Sequence, residues 1–94
     1  MSTISSISPG EILATEFLRP LGLSRQELAA SVGVPPRQIN GIIRGTCRIG
    51  PDIALRLAGF FGTSDRFWTN LQVRYDLDRL RDRRRRGRRW NRMA

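Results

Sequence analysis

The chain reads as an all-α domain of five helices followed by a basic C-terminal tail. Three observations predict this. Val, Ile and Leu fall at helical rather than alternating spacing, so no stretch reads as a strand. The apolar-periodic runs are bounded by capping residues and by glycine or proline. Basic charge gathers beyond the last of these runs, where an apolar core has nothing to work with.

The first helix is expected from Ser8, where Ser8-Pro9-Gly10-Glu11 has the form of a capping box with proline at the first helical position. It should carry Leu13 and Phe17 one turn apart and end near Leu18, before Pro20 and Gly22. A second capping box, Ser24-Arg25-Gln26-Glu27, opens the next helix, which turns Leu28, Ala29 and Val32 inward and stops at Gly33. The third helix is entered through Val34-Pro35-Pro36 and runs to Arg44, with Gly41 an unfavourable residue inside it. The fourth starts at Pro51-Asp52 and carries Ile53, Ala54, Leu57, Ala58, Phe60 and Phe61, so it should form the buried centre. The fifth follows Thr63-Ser64-Asp65 and runs to about Leu80 or beyond.

Residues 1–7 are expected to be a flexible lead-in, residues 8–82 the folded domain and residues 83–94 an Arg-rich tail. Ninety-four residues leave room for one core. No apolar run approaches the roughly 20 residues that span a bilayer, and the first residues lack the pattern of a secretory signal. A cytoplasmic protein without membrane contact is expected. Cys47 is the only cysteine and histidine is absent. Without an imidazole or a second thiol, the usual general base and the usual zinc ligands are missing, so no enzyme, metal site or cofactor is expected.

The net charge of +9 is unevenly placed. Residues 1–78 hold eight Arg and seven acids, while residues 79–94 hold nine Arg and one Asp. The body is nearly neutral and the tail is a polycation.

The second and third helices meet the requirements of a helix-turn-helix, here over about residues 24–44. Such a unit needs a small residue where the helices cross, a glycine opening the turn, an apolar residue seating it, and branched residues on the inner face of the second helix. Ala29, Gly33, Val34, Ile39 and Ile42 supply these at the required spacings. Arg37, Gln38 and Asn40 then remain as candidate base contacts, because Arg, Gln and Asn match purine edges with paired hydrogen bonds. Arg44 and Arg48, together with Ser24, Arg25 and Gln26 at the start of the second helix, are candidate phosphate contacts. No acid occurs from Ser31 to Pro51, so phosphates should meet no repulsion there.

With these residues in place, the chain resembles antitoxins of the HigA/VapI type, within the Xre/Cro-like (Cro/lambda-repressor-like) helix-turn-helix superfamily. The resemblance spans about residues 7–80. It rests on Pro9-Gly10-Glu11-Ile12-Leu13, Glu16-Phe17-Leu18, Pro20-Leu21-Gly22-Leu23-Ser24, Ala54-Leu55-Arg56-Leu57-Ala58, Phe60-Phe61-Gly62-Thr63-Ser64 and, most specifically, Phe67-Trp68 through Asn70-Leu71-Gln72 to Tyr75-Asp76-Leu77. It implies an antitoxin that neutralises a RelE/HigB-like mRNA-cleaving toxin and represses its own operon, usually as a dimer on double-stranded operator DNA. The paired prolines before the third helix, Gly41, Gly50-Pro51 and the Arg-rich end depart from the family pattern.

On the fifth helix, Phe67, Trp68, Leu71 and Tyr75 form one apolar stripe and Val73, Leu77 and Leu80 a second. The second stripe is the expected homodimer surface. Acidic residues suited to a basic toxin are Glu11, Glu16, Asp76, Asp78 and Asp82. Like charges should hold Arg83 to Arg92 extended, and Arg83, Arg84, Arg85, Arg86, Arg88 and Arg89 form a possible phosphate arm with Trp90 available for stacking. Two other readings stay open: a stand-alone transcriptional regulator without a toxin, and an RNA-binding protein acting through the tail.

Overall fold

Ser8 starts the first helix, α1, because its hydroxyl accepts the Glu11 N–H at 3.2 Å and Pro9 follows with its φ already helical. Only this hydroxyl half of the expected capping box is seen. The computed structural model describes residues 7–86, with side chains through Arg84. The expected flexible lead-in, residues 1–7, thus lies outside the described residues except for Ile7.

Helix α1 is longer than its sequence predicts. An α-helical turn over Pro9–Ile12 widens into a π-helical stretch, Leu13–Leu18, and closes through Arg19–Leu21. The expected stop before Pro20 does not occur. Proline cannot donate an N–H and its ring collides with the carbonyl four residues back in a regular α-helix. The wider π-turn relieves that collision, and the Arg19 N–H bonds to Ala14 O, five residues back, immediately before the proline.

Helix α2 spans Arg25–Val32 with a complete capping box: Glu27 N–H donates to Ser24 Oγ at 3.0 Å, and Ser24 N–H to Glu27 Oε1 at 2.9 Å. Helix α3 spans Pro36–Arg44, α4 Pro51–Phe61 and α5 Asp65–Arg86. Ser64 Oγ accepts the Phe67 N–H at 3.1 Å to open α5. All regular elements among the described residues are helical, and none is long and apolar enough to cross a membrane.

Leu13, Leu28, Ile39, Ile42, Ile49, Leu57 and Trp68 are fully buried and join all five helices into one core. Helix α4 contributes Ile53, Ala54, Leu57 and Ala58, but it is less central than its composition suggests. Leu55 and Phe60 face outward, because a surface helix can bury only one side. Phe17 lies between Phe61 and Trp68, with ring centroids 4.8 and 4.9 Å away. The Trp68 indole N–H donates to Thr63 Oγ1 at 2.8 Å, so the largest core residue buries no unmatched donor.

Helix α5 also departs from expectation. It continues through Arg83, Arg84, Arg85 and Arg86 rather than becoming extended at Arg83. Arg is a good helix former, and positive charge is favoured near a helix C-terminus. Asp78 paired with Arg81 at 3.4 Å offsets part of the repulsion. Arg88, Arg89, Trp90 and the rest of the expected arm lie outside the described residues.

Candidate nucleic-acid interface

The interface is built on the turn between α2 and α3. Gly33 takes φ +75°, a left-handed conformation in which a β-carbon is strained. This lets the N–H groups of Gly33 and Val34 both reach Ala29 O, at 2.9 and 3.0 Å, closing α2. Ala29 is fully buried, Val34 packs on the core, and Ile39 and Ile42 turn inward from α3. Arg56 of α4 completes the junction: its Nη1 donates to Val32 O at 2.7 Å while its Nε meets Asp52 at 3.3 Å. A basic residue thus satisfies the carbonyl end of α2 and ties the turn to α4. In the sequence Arg56 shows only its pairing with Asp52 one turn away.

Beneath α3 lies the first turn of α1. A β-carbon on Gly10 would collide with the Ile42 carbonyl and come within 2.7 Å of Ile43 Cα, so the two helices touch backbone to backbone. Along the chain Gly10 reads only as part of a capping signal, with no hint of this contact. Gly41, the unfavourable residue inside α3, is buried against the loop that follows the helix. A β-carbon there would meet Cys47 Sγ at 2.5 Å, and the Gly41 carbonyl accepts the N–H groups of Thr46 and Cys47 at 2.8 and 3.0 Å.

With Ile39 and Ile42 inward, Arg37, Asn40 and Arg44 fall within about 60° of one another on the opposite side of α3. Arg37 and Arg44 are exposed and Asn40 half-buried. Arg25 Nη1, at the start of α2, donates to Asn40 Oδ1 at 3.3 Å, which links one candidate phosphate residue to one candidate base reader. Gln38 is half-buried about 100° round the helix from Arg37, away from Asn40. Gln26 is exposed, whereas Ser24 is engaged with Glu27 in the capping box. The Ser24 N–H foremost, and then its hydroxyl, hold the Glu27 carboxyl below the usual carboxylate range.

Arg48 points elsewhere. It pairs with Asp76 of α5. Asp76 Oδ1 accepts from Gln72 Nε2 at 3.0 Å, and the buried Gln72 Oε1 accepts the Ile49 N–H at 2.8 Å. The absence of acids from Ser31 to Pro51 is therefore a property of the sequence and not of the surface. Folding brings Asp76 to Arg48, the candidate phosphate residue in the loop after α3.

On α5, Val73, Leu77 and Leu80 are exposed by 51, 42 and 48%, on the side away from the buried Trp68 and Gln72. Of the candidate arm, Arg83 and Arg84 are exposed and Arg85 and Arg86 lie on the helix.

Among the described residues, five helices, a glycine-opened turn seated on the core and a polar stripe on the following helix define a helix-turn-helix protein. Residues 16–68 match the helix-turn-helix family. The chain belongs to the HigA/VapI-type antitoxin branch of that family. It is 47% identical over 72 residues to virulence-associated protein I of Dichelobacter nodosus, covering 77% of this chain and 67% of the relative. It is 36% identical over 77 residues to antitoxin HigA-1 of Vibrio cholerae, covering 82% and 72%. Among solved structures it is similar to Pseudomonas aeruginosa antitoxin HigA with the higBA promoter, at 37% identity and a TM-score of 0.84, covering 89% of this chain and 91% of that one.

Proposed function

We propose that the protein is the DNA-binding antitoxin of a two-gene module in the cytoplasm, neutralising a RelE/HigB-like mRNA-cleaving toxin and repressing its own operon. The observation that carries this is the stripe of Arg37, Asn40 and Arg44 on a helix whose inner face is locked to the core. The solved relative with its promoter DNA supports the same use of this fold. Arg37, at the start of α3, reads a base edge, with Gln38 and Asn40 as further readers. Arg25, Gln26 and Arg44 hold backbone phosphates, which position the helix without specifying sequence. Ser24 and Arg48 belong to the same set, each after exchanging its present partner.

Two copies pair through Val73, Leu77 and Leu80, placing two recognition helices about 34 Å apart on one face of the duplex. The acids Asp76 and Asp78 are engaged by Arg48 and Arg81, while Glu11 and Glu16 stand exposed on α1. Helix α1 is thus the better surface for a basic toxin.

The test is a titration of the purified chain, at physiological salt, against its own upstream DNA and a shuffled duplex of equal length. Strong preference for the native DNA is expected. Equal binding to both would replace sequence-specific repression with charge-driven nucleic-acid binding through the arginines of the C-terminal end.

A further inference from the structure

Between the N-terminus of α1, the loop after α3 and the middle of α5 lies a groove of about 390 Å³. Arg48, Arg79 and Arg83 line it, with Asp76 as their acid. Two of these guanidinium groups are held from α5: Arg48 by Asp76, and Arg79 by Tyr75, whose hydroxyl accepts at 2.9 Å and whose ring lies 5.4 Å away.

Asp76 is itself held. Gln72 donates to one carboxylate oxygen, Arg48 to the other, and Gln72 is fixed by the amide of Ile49, the residue that follows Arg48. One buried hydrogen bond therefore sets both the backbone beside Arg48 and the carboxylate that receives its side chain. The pair is open to water, with the Arg48 side chain 65% and the Asp76 side chain 30% exposed. An anion in solution can reach it, and an exposed pair of this kind adds little to folding stability.

We infer that Asp76 is an internal competitor for DNA phosphate: a backbone phosphate entering the groove competes with Asp76 for the Arg48 guanidinium, and the carboxylate lowers affinity for duplex of any sequence. This rests on the reading of Arg48 as a phosphate contact. The carboxylate acts on backbone charge, so it sets how tightly the chain holds DNA in general and leaves sequence preference to α3.

The experiment compares the full chain with Asp76→Asn, Arg48→Ala and the double variant, on the native upstream duplex and the shuffled one across a salt series. Asparagine keeps the shape and the oxygen that Gln72 needs, and a thermal melt of each variant verifies folding. Asp76→Ala, which keeps neither, must act in the same direction. Asp76→Asn should bind both duplexes about two- to fivefold tighter, the range set by an exposed ion pair. Its salt slope should steepen by up to about 0.9, one further phosphate charge neutralised. The increase should disappear in the Arg48→Ala background. Unchanged or weaker binding by Asp76→Asn overturns the inference, as does an increase that survives without Arg48. If Arg48→Ala binds like the parent, the phosphate role of Arg48 fails first; if it binds more weakly while Asp76→Asn is unchanged, only the competition fails.

Discussion

Gly10 and Ile42 touch through their backbones, and this contact seats the recognition helix on the first turn of α1. The obstacle to a side chain at position 10 is a carbonyl and a Cα, neither of which can rotate away. Gly10→Ala should therefore destabilise the fold by about 3 kcal/mol, the upper part of the range for overpacking. Urea denaturation checks this. An unchanged midpoint would mean that α1 and α3 can separate freely.

Arg56 closes the carbonyl end of α2, and its loss should be felt at the turn. Arg56→Ala removes the bond to Val32 O and the pairing with Asp52, and should cost about 1 kcal/mol after allowance for solvent at this half-exposed site. Arg56→Lys should recover little of that, because one ammonium cannot span both acceptors. Thermal melts of the two variants decide it; full recovery by lysine would show that charge alone matters.

Gln72 is the buried polar residue under the loop after α3. Gln72→Leu strands the Ile49 N–H and frees Asp76 from one of its partners, at a cost of about 1–3 kcal/mol for the unmet donor. The amide hydrogen of Ile49 should also exchange faster than in the parent. Retained protection would place the anchor of this loop elsewhere.

In the proposed function, recognition by α3 rests on Arg37. Arg37→Ala should weaken binding to the native upstream DNA by about 1–3 kcal/mol and relax preference at one position, with little change on shuffled duplex. Equal losses on both duplexes would reassign Arg37 to phosphate.

Glu27 gives a pH dependence of definite sign. Bonds from Ser24 lower its pKa in the folded chain, so its contribution is present above the unfolded carboxylate pKa and lost as pH falls through the folded one. Glu27→Gln keeps the capping geometry and has no proton to take up. The parent should lose more stability than Glu27→Gln on acidification below about pH 4, the ordinary carboxylate range. Parallel acid limbs in denaturant titrations would remove Glu27 from the acid response.

The signals legible along the chain are local. Capping residues, helix-ending glycines and the 3.6-residue recurrence of Leu, Ile and Val place five helices, because each signal acts within a few residues of chain. The spacing of Ala29, Gly33, Val34, Ile39 and Ile42 also marks the turn, since its geometry is set over 14 residues. Pro20 and the arginines at 83–86 were misleading for a related reason. Their usual effects hold for a regular α-helix and for an isolated charge run, and here a π-turn relieves the proline and a long helix carries the arginines.

Tertiary structure alone decided what joins these pieces. Gly10 meets Ile42 across 32 residues of chain, Arg56 reaches Val32 across 24, and Asp76 reaches Arg48 across 28. None of these partners lies within a turn of the other in sequence, so no periodicity or propensity points to them. The acid-free stretch around α3 is the clearest instance. Charge along the chain is fixed by composition, but the field around a side chain such as Arg48 depends on which distant groups folding delivers there, and here it delivers Asp76.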